Sequence, residues 1–165
     1  MSALISPRLK PVDTLLRYTL IVLMSLIILD VSWQVITRFL LPTPSSYTEE
    51  LARFLLVWIS LLGAAYAYAH RLHLGIELLA GRLSGRGKHW LAITGYALSG
   101  LFALLALVIG GSQLTLLTLE LKQVSGALGL PMAYVYCVLP LSGTLMVLFS
   151  LDFICQELNK LKHTT

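Results

Sequence analysis

Four apolar runs, each long enough to cross a lipid bilayer, dominate the sequence. They cover approximately residues 15–41, 50–69, 90–119 and 131–155. A membrane-spanning α-helix needs about 20 consecutive, mostly apolar residues. A spanning strand would instead alternate apolar and polar residues with a period of two, and none of these runs does so. We therefore predict an all-α integral membrane protein, with a single transmembrane domain over residues 1–165 and four transmembrane helices.

The composition excludes a soluble domain. Of the 165 residues, 57% are hydrophobic and 12% are charged, whereas soluble domains carry about 25% charged residues. A chain this small cannot bury so much apolar surface in its own core, so lipid must cover the excess. The net charge of +4 does not indicate nucleic-acid binding, because the basic residues lie at the edges of the apolar runs, where the membrane surface attracts them.

The distribution of these basic residues predicts the orientation. With the N-terminus in the cytoplasm, nine lie inside and three outside, a clear positive-inside bias. We expect both termini to be cytoplasmic. The inside set is Arg8, Lys10, Arg17, Arg71, Arg82, Arg86, Lys88, Lys160 and Lys162, and the outside set is Arg38, Arg53 and Lys122.

The segment between the second and third runs has an amphipathic pattern. Its apolar residues recur at helical spacing, while His73 and Glu77 fall between them. This pattern predicts a short interfacial helix over about residues 72–84, lying in the cytoplasmic surface of the membrane. A cytoplasmic extension of the second helix is the alternative. The apolar set is Leu72, Ile76, Leu79 and Leu83.

A polar stripe interrupts the first run. Asp30, Gln34 and Arg38 follow one another at four-residue steps and so project from one helix face. An ionised acid in mid-membrane costs about 2.5–3.5 kcal/mol on insertion scales, so the stripe is expected to face protein. Two interpretations remain: a proton or ion relay, or a buried polar network between helices or subunits. We favour the network, because one acid beside one base, Arg38 or Arg53, makes a pair and not a pathway.

The start and middle of the second run carry two further patterns. Glu49, Glu50 and Arg53 open the helix on the outer side, either as a docking patch or as a helix start with an ordinary surface ion pair. Gly63 and Ala67 form a small-xxx-small pair of the kind that lets membrane helices pack closely.

No cofactor, metal site or catalytic residue is predicted. His70, His73 and Glu77 have a spacing that can bind zinc, but histidines at a membrane surface are more often ordinary interfacial residues. A haem between the spans needs histidines at matching depths, whereas His89 and His163 lie outside the helices or at their ends. Phosphate-binding and hydrolase motifs are missing. Four spans with one buried acid provide too few ionisable groups for an independent pump, so we expect a partner to perform transport.

The stretch from Glu49 to Leu79, EELARFLLVWISLLGAAYAYAHRLHLGIELL, resembles the DctQ-like small membrane subunit of tripartite ATP-independent periplasmic (TRAP) transporters. That family tends to show an acid-rich helix start, an Arg, W-x-x-x-L-G-A-A, and then a His and an apolar segment with an acid. Leu74-Gly75 departs from the family's usual apolar or β-branched pair. The matching residues are Glu49, Glu50, Arg53, Trp58, Leu62, Gly63, Ala64, Ala65, His73, Ile76 and Glu77, and Gly129-Leu130-Pro131 and Leu139-Pro140-Leu141 are similar to the family's last helix.

The resemblance implies a function. Such transporters import carboxylate-bearing solutes, such as four-carbon dicarboxylates or sialic acids, with a sodium gradient. The small subunit would lie in the bacterial inner membrane, pair one to one with a large transport subunit as its scaffold, contact lipid, and help to dock a soluble periplasmic solute-binding protein. Candidate partner contacts are Asp30, Gln34, Arg38, Glu49, Glu50 and Arg53.

Two other functions are weighed against this one. The first is a haem-binding membrane anchor of a respiratory enzyme. The second is a small self-assembling transporter that uses Asp30 as its ion-coupling acid.

Overall fold

The computed structural model describes residues 6–7, 9–40, 46–70 and 86–163. Their helices are α1 (Lys10–Leu40), α2 (Ser46–Ala69), α3 (Arg86–Phe102), a π-helical segment (Ala103–Gly110), α4 (Gly111–Glu120), α5 (Met132–Tyr136) and α6 (Val138–His163). The interfacial helix predicted over residues 72–84, with His73 and Glu77, lies outside the described residues.

These elements form four rods long and apolar enough to cross a membrane. The first two are α1 and α2, and the third combines α3, the π-helical segment and α4. The fourth contains α5 and α6, which are separated by a turn at Cys137. That turn lies one residue after Tyr136, whose carbonyl would have accepted the N–H that Pro140 lacks. The predicted all-α fold with four membrane-spanning helices is confirmed.

The four rods lie side by side as an open row. Among the described elements α1 contacts α2 alone, α2 also contacts the fourth rod, and the third rod contacts only the fourth. The order across the row is therefore first, second, fourth and third. Because the first and third rods do not meet, the described helices do not close into a ring.

One seam joins α1 to α2. From Leu20 onward, the α1 residues that are not exposed follow alternating steps of three and four, which is the spacing of a coiled-coil seam. The half of the seam nearer the N-terminus is apolar and the other half is polar. In order along the helix, these residues are Leu20, Leu23, Ile27, Asp30, Gln34 and Thr37.

Aromatic side chains of α2 and α3 meet on α6. Phe149 and Phe153 of α6 are fully buried. The rings of Tyr68 and Tyr96 pack against Phe153, with centroids 5.9 Å and 5.2 Å away. The Tyr68 hydroxyl and the Ser150 hydroxyl form a buried hydrogen bond of 2.6 Å. This bond satisfies the polar ends of two side chains that would otherwise be costly to bury.

Glycines bring the third rod and α6 almost into backbone contact. A Cβ added at Gly143 would lie 2.6 Å from the Leu107 Cβ, and one added at Gly111 would lie 2.7 Å from the Leu139 Cβ. Small residues at such crossings let membrane helices gain van der Waals contact and bring their backbones close. By contrast, no atom of a neighbouring helix in the described residues lies within 4 Å of a Cβ added at Gly63. The predicted packing role of Gly63 and Ala67 remains a prediction about a neighbour outside this chain.

We predict that Gly143→Ala destabilises the isolated chain by about 1–3 kcal/mol, because the new methyl group overlaps Leu107 and forces the rods apart. Gly63→Ala is the matched control, since it adds the same methyl group in open space and should be neutral or stabilise the helix by up to about 1 kcal/mol. Thermal unfolding in detergent, followed by circular dichroism, measures both. Equal shifts in the two variants would contradict the close approach seen at Gly143.

Candidate partner-binding site

Polar side chains collect at the two ends of the row. We call the end with Leu40, the start of α2 and the loop 121–131 the hairpin end. We call the end with Asp13, His70 and the last turns of α6 the terminal end. Polar groups can be exposed at the ends of membrane-spanning helices, because water and other proteins can reach them there.

A carboxylate clamp at the hairpin end fixes the loop between α4 and α5. The Glu50 carboxylate accepts hydrogen bonds from the backbone N–H groups of Gly126 (3.2 Å), Ala127 (3.0 Å) and Leu128 (2.7 Å). Three donors converging on one carboxylate form a cradle of the kind that backbone N–H groups build around anions. Glu50 therefore ties the start of α2 to a loop 76 to 78 residues further along the chain.

The loop also has its own internal hydrogen bonds. The N–H of Ser125 donates to the carbonyl of Leu130 at 2.8 Å, and the N–H of Leu130 donates to the Ser125 hydroxyl at 3.1 Å. The N–H of Met132 donates to the carbonyl of Gln123 at 2.9 Å, which closes the base of the loop. Ser125 is buried at its centre. With Glu50 attached, the loop is a compact, cross-linked unit.

Glu49 has a different role from its neighbour Glu50. It forms an ion pair with Arg53 at 3.1 Å on the exposed face of α2, where the two side chains are 66% and 68% exposed. Such surface pairs contribute under about 1 kcal/mol to stability. Partner contact by Glu49, Glu50 and Arg53 remains a prediction, and in this structure the Glu50 carboxylate is already engaged by its own chain.

The polar stripe of α1 follows Thr37 instead of Arg38. Asp30 is 9% exposed and its Oδ2 has no hydrogen-bond partner. The Thr37 hydroxyl donates to the carbonyl of Gln34 at 3.0 Å, while Arg38 is exposed. A helix has 3.6 residues per turn, so successive four-residue steps drift away from the seam and a three-residue step returns to it. Among the described residues, no ion pair joins Asp30 to Arg38 or Arg53.

The terminal end contains two histidine–carboxylate contacts that the sequence alone did not reveal. His70 Nε2 lies 3.0 Å from Asp13 Oδ1, linking α2 to α1. His89 Nδ1 lies 2.7 Å from Glu157 Oε2, linking α3 to α6. The other Glu157 oxygen accepts a hydrogen bond from Lys160 at 2.7 Å. The spacing in sequence gives no signal for these pairs, because the partners are 57 and 68 residues apart.

Several of the polar groups at the two ends link one helix or loop to another. In the described part of the chain no group of three or more His, Cys, Asp or Glu residues is arranged to hold a metal ion. The long outer faces of the rods are apolar and exposed, Phe39 at 83%, Tyr134 at 69% and Leu98 at 63% among them. Exposed apolar area of this extent requires lipid or another membrane protein to cover it.

We predict that Glu50→Ala loosens the loop 121–131, because three backbone N–H groups lose their common acceptor. Glu49→Ala is the control, since it removes a carboxylate one position away that bonds only to an exposed arginine. Hydrogen exchange followed by mass spectrometry should show faster exchange at residues 126–128 in Glu50→Ala and no change there in Glu49→Ala. Unchanged exchange at residues 126–128 in Glu50→Ala would show that the clamp does not hold the loop.

Three relatives indicate the class of protein. The chain is 28% identical over 130 residues to the sialic acid TRAP transporter small permease protein SiaQ of Vibrio cholerae, covering 79% of this chain and 73% of that protein. It is 30% identical over 100 residues to the C4-dicarboxylate TRAP transporter small permease protein DctQ of Rhodobacter capsulatus, covering 61% of this chain and 44% of that protein.

A third relative is much longer than this chain. It is the isethionate TRAP transporter permease protein DctMQ of Oleidesulfovibrio alaskensis, 34% identical over 102 residues. The match covers 61% of this chain and 16% of that protein. The chain thus spans most of the first relative, less than half of the second and about a sixth of the third. All three are named as transporter components, which favours transport over an enzyme or a haem-binding anchor.

A family model described as "Tripartite ATP-independent periplasmic transporters, DctQ component" matches residues 27–160. This range begins within α1 and includes α2, the third rod and nearly all of the fourth rod, with the Glu50 clamp and the loop 121–131. Members of this family are components of transporters and not enzymes. The chain belongs to the DctQ component family of TRAP transporters.

Proposed function

We propose that this chain is the small permease subunit of a sodium-driven TRAP transporter that imports a carboxylate-containing solute. It acts as the scaffold of the large membrane subunit, with which it pairs one to one, and it helps to dock a periplasmic solute-binding protein. It spans the bacterial inner membrane with both termini in the cytoplasm, so that the hairpin end faces the periplasm.

The open row of helices is the observation that carries this proposal. A path for a polar solute must be enclosed by protein, because lipid does not solvate it. Four rods in a row, with the first and third out of contact, do not surround such a path in the described part of the chain. The contacts between the rods are instead those of a fixed body: glycine crossings, an aromatic cluster and polar links at both ends. A fixed body supports a neighbour that moves.

The surface of α1 supports a membrane-protein partner. Among the described helices the backbone of α1 comes close to that of α2 alone, and most α1 residues are exposed and so open to another molecule. It carries large exposed apolar side chains, Trp33 (59%) and Phe39 (83%) among them. Asp30 lies on its seam with an oxygen that lacks a partner. Because Asp30 is buried in the seam with α2, it bears on how α1 is held, and the exposed apolar side chains of α1 are the surface that a membrane-protein neighbour would cover.

The length of the third relative supports the same partner. In the DctMQ permease protein, a segment similar to this chain is covalently part of a much longer chain. Proteins that are joined in one organism and separate in another commonly work together. The partner of this chain is therefore a large membrane subunit, and the small chain need not contain the substrate site.

The solute belongs to the organic anions. The relatives are named for sialic acid, C4-dicarboxylate and isethionate. The first two are carboxylates and isethionate is a sulfonate. Each is a small, strongly hydrated anion whose uptake against a negative membrane potential needs an accompanying cation, and the sodium gradient supplies one. The solute-binding protein captures this anion before the membrane subunits receive it.

We predict that liposomes containing this chain alone take up no solute, and that liposomes with the large subunit and the binding protein take up solute in response to a sodium gradient. The physical reason is that the row encloses no path by itself. Radiolabelled dicarboxylate and sialic acid, each tested with and without sodium, provide the measurement. Flux through the isolated chain would instead support a small self-assembling carrier that uses Asp30.

We predict that Asp30→Asn lowers the yield of the complex with the large subunit more than it changes the coupling to sodium, because a buried acid between helices serves assembly. Ser25→Ala is the control on the same helix, since the Ser25 hydroxyl is exposed and bonds only to the carbonyl of Ile21 in its own helix. Copurification through a tag on the large subunit measures assembly. A normal yield with abolished sodium coupling would refute the prediction.

A further inference from the structure

Lys122 stands in a backbone conformation that suits glycine. Its φ is 48°, and in the described part of the chain it is the only non-glycine residue with positive φ. The N–H of Lys122 donates to the carbonyl of Leu119 and the N–H of Gln123 donates to the carbonyl of Thr118, each at 3.1 Å. These two bonds end α4 with a Schellman motif, whose left-handed position is usually occupied by glycine because a Cβ is strained there.

The surroundings hold the backbone of Lys122 in a fixed place. The loop that begins at Lys122 is fastened to α2 by Glu50 and is closed on itself through Ser125 and Met132. A lysine on a free loop would sample many positions, whereas this one projects from a cross-linked unit. A partner that binds it pays less conformational entropy than it would for a flexible loop.

The surface around Lys122 combines one cation with exposed apolar side chains. Lys122 is exposed, and no ion pair of the described residues involves it. Leu121 and Val124 beside it are 59% and 62% exposed. The exposed cation Arg53, in contrast, is already neutralised by Glu49. An unpaired cation among exposed apolar side chains is complementary to a protein surface that presents a carboxylate within an apolar rim.

We propose that Lys122, with Leu121 and Val124, is the contact through which this chain docks an acidic patch of the soluble solute-binding protein. Glu50 is a positioning residue for this contact, because it holds the loop and does not itself face the partner. The inference rests on the proposed function and deepens it by moving the docking contact from the start of α2 to the loop 121–131.

The strained backbone allows docking and stability to be separated. Lys122→Gly removes the charge and also relieves the strain, so the variant should unfold at the same temperature as the wild type or higher. Lys122→Glu reverses the charge. Lys122→Arg is the matched control, because it keeps the charge and a similar backbone strain.

The experiment measures binding of the purified solute-binding protein from the same transport system to the assembled complex of small and large subunits. The complex is held in phosphatidylcholine nanodiscs. We expect Lys122→Gly to raise the Kd by about fivefold to tenfold and Lys122→Glu to raise it further, while Lys122→Arg stays within about twofold. The differences should shrink at high salt, because salt screens exposed charges.

Three outcomes would overturn the inference. In the first, Lys122→Gly and Lys122→Glu leave the Kd unchanged. In the second, Lys122→Gly lowers the unfolding temperature and the yield of the complex, which would make Lys122 only a helix cap that a cation favours. In the third, the loss appears only when phosphatidylglycerol is added to the nanodiscs, which would assign Lys122 to a lipid headgroup. A wild-type chain that does not assemble with the large subunit would overturn the proposed function itself, and this inference with it.

Discussion

The structure depends on the close approach of two backbones, those of the third rod and α6. Lipid tails are as apolar as leucine side chains, so burying apolar surface between two membrane helices gains little from the hydrophobic effect. Close approach has to supply the stabilisation through van der Waals contact, and Gly111 and Gly143 permit that approach between the third rod and α6. The links at the ends then fix the register: Glu50 at the hairpin end, and the Asp13–His70 and His89–Glu157 contacts at the terminal end.

The sequence predicts those parts of the fold that the membrane itself constrains. The bilayer requires apolar runs of a minimum length, so the hydropathy pattern predicts the four rods. The bilayer does not determine the neighbours of each rod. The small pair at Gly63 and Ala67 is as conspicuous in the sequence as Gly143 is, yet within this chain the close approach is at Gly143. Which glycine faces a neighbour depends on the rotation of each helix, and that is set by packing.

The same limit applies to the candidate site. Glu49 and Glu50 are adjacent and chemically alike, so the sequence predicts an acidic helix start without separating their roles. In the structure, Glu49 forms an exposed ion pair, whereas Glu50, the next residue along the helix, accepts hydrogen bonds from three backbone N–H groups. Asp30 was identifiable because a mid-membrane acid is costly anywhere, whereas the drift of the stripe to Thr37 required the geometry of the seam with α2. Rules about single residues identify a side chain such as Asp30, whose environment in the bilayer is uniform. They do not predict contacts that a segment distant in the sequence supplies.

The open row has a mechanical consequence. Helices that pack at spacings of 8–10 Å, each about 10 Å in diameter, make a four-rod slab about 35–40 Å wide but only one helix thick. A slab attached to one flank of a larger membrane protein widens the complex in the plane of the bilayer and so resists tilting of the complex. Thickness would add little to that resistance, whereas width adds much, so a single layer of helices provides the most leverage for the shortest chain.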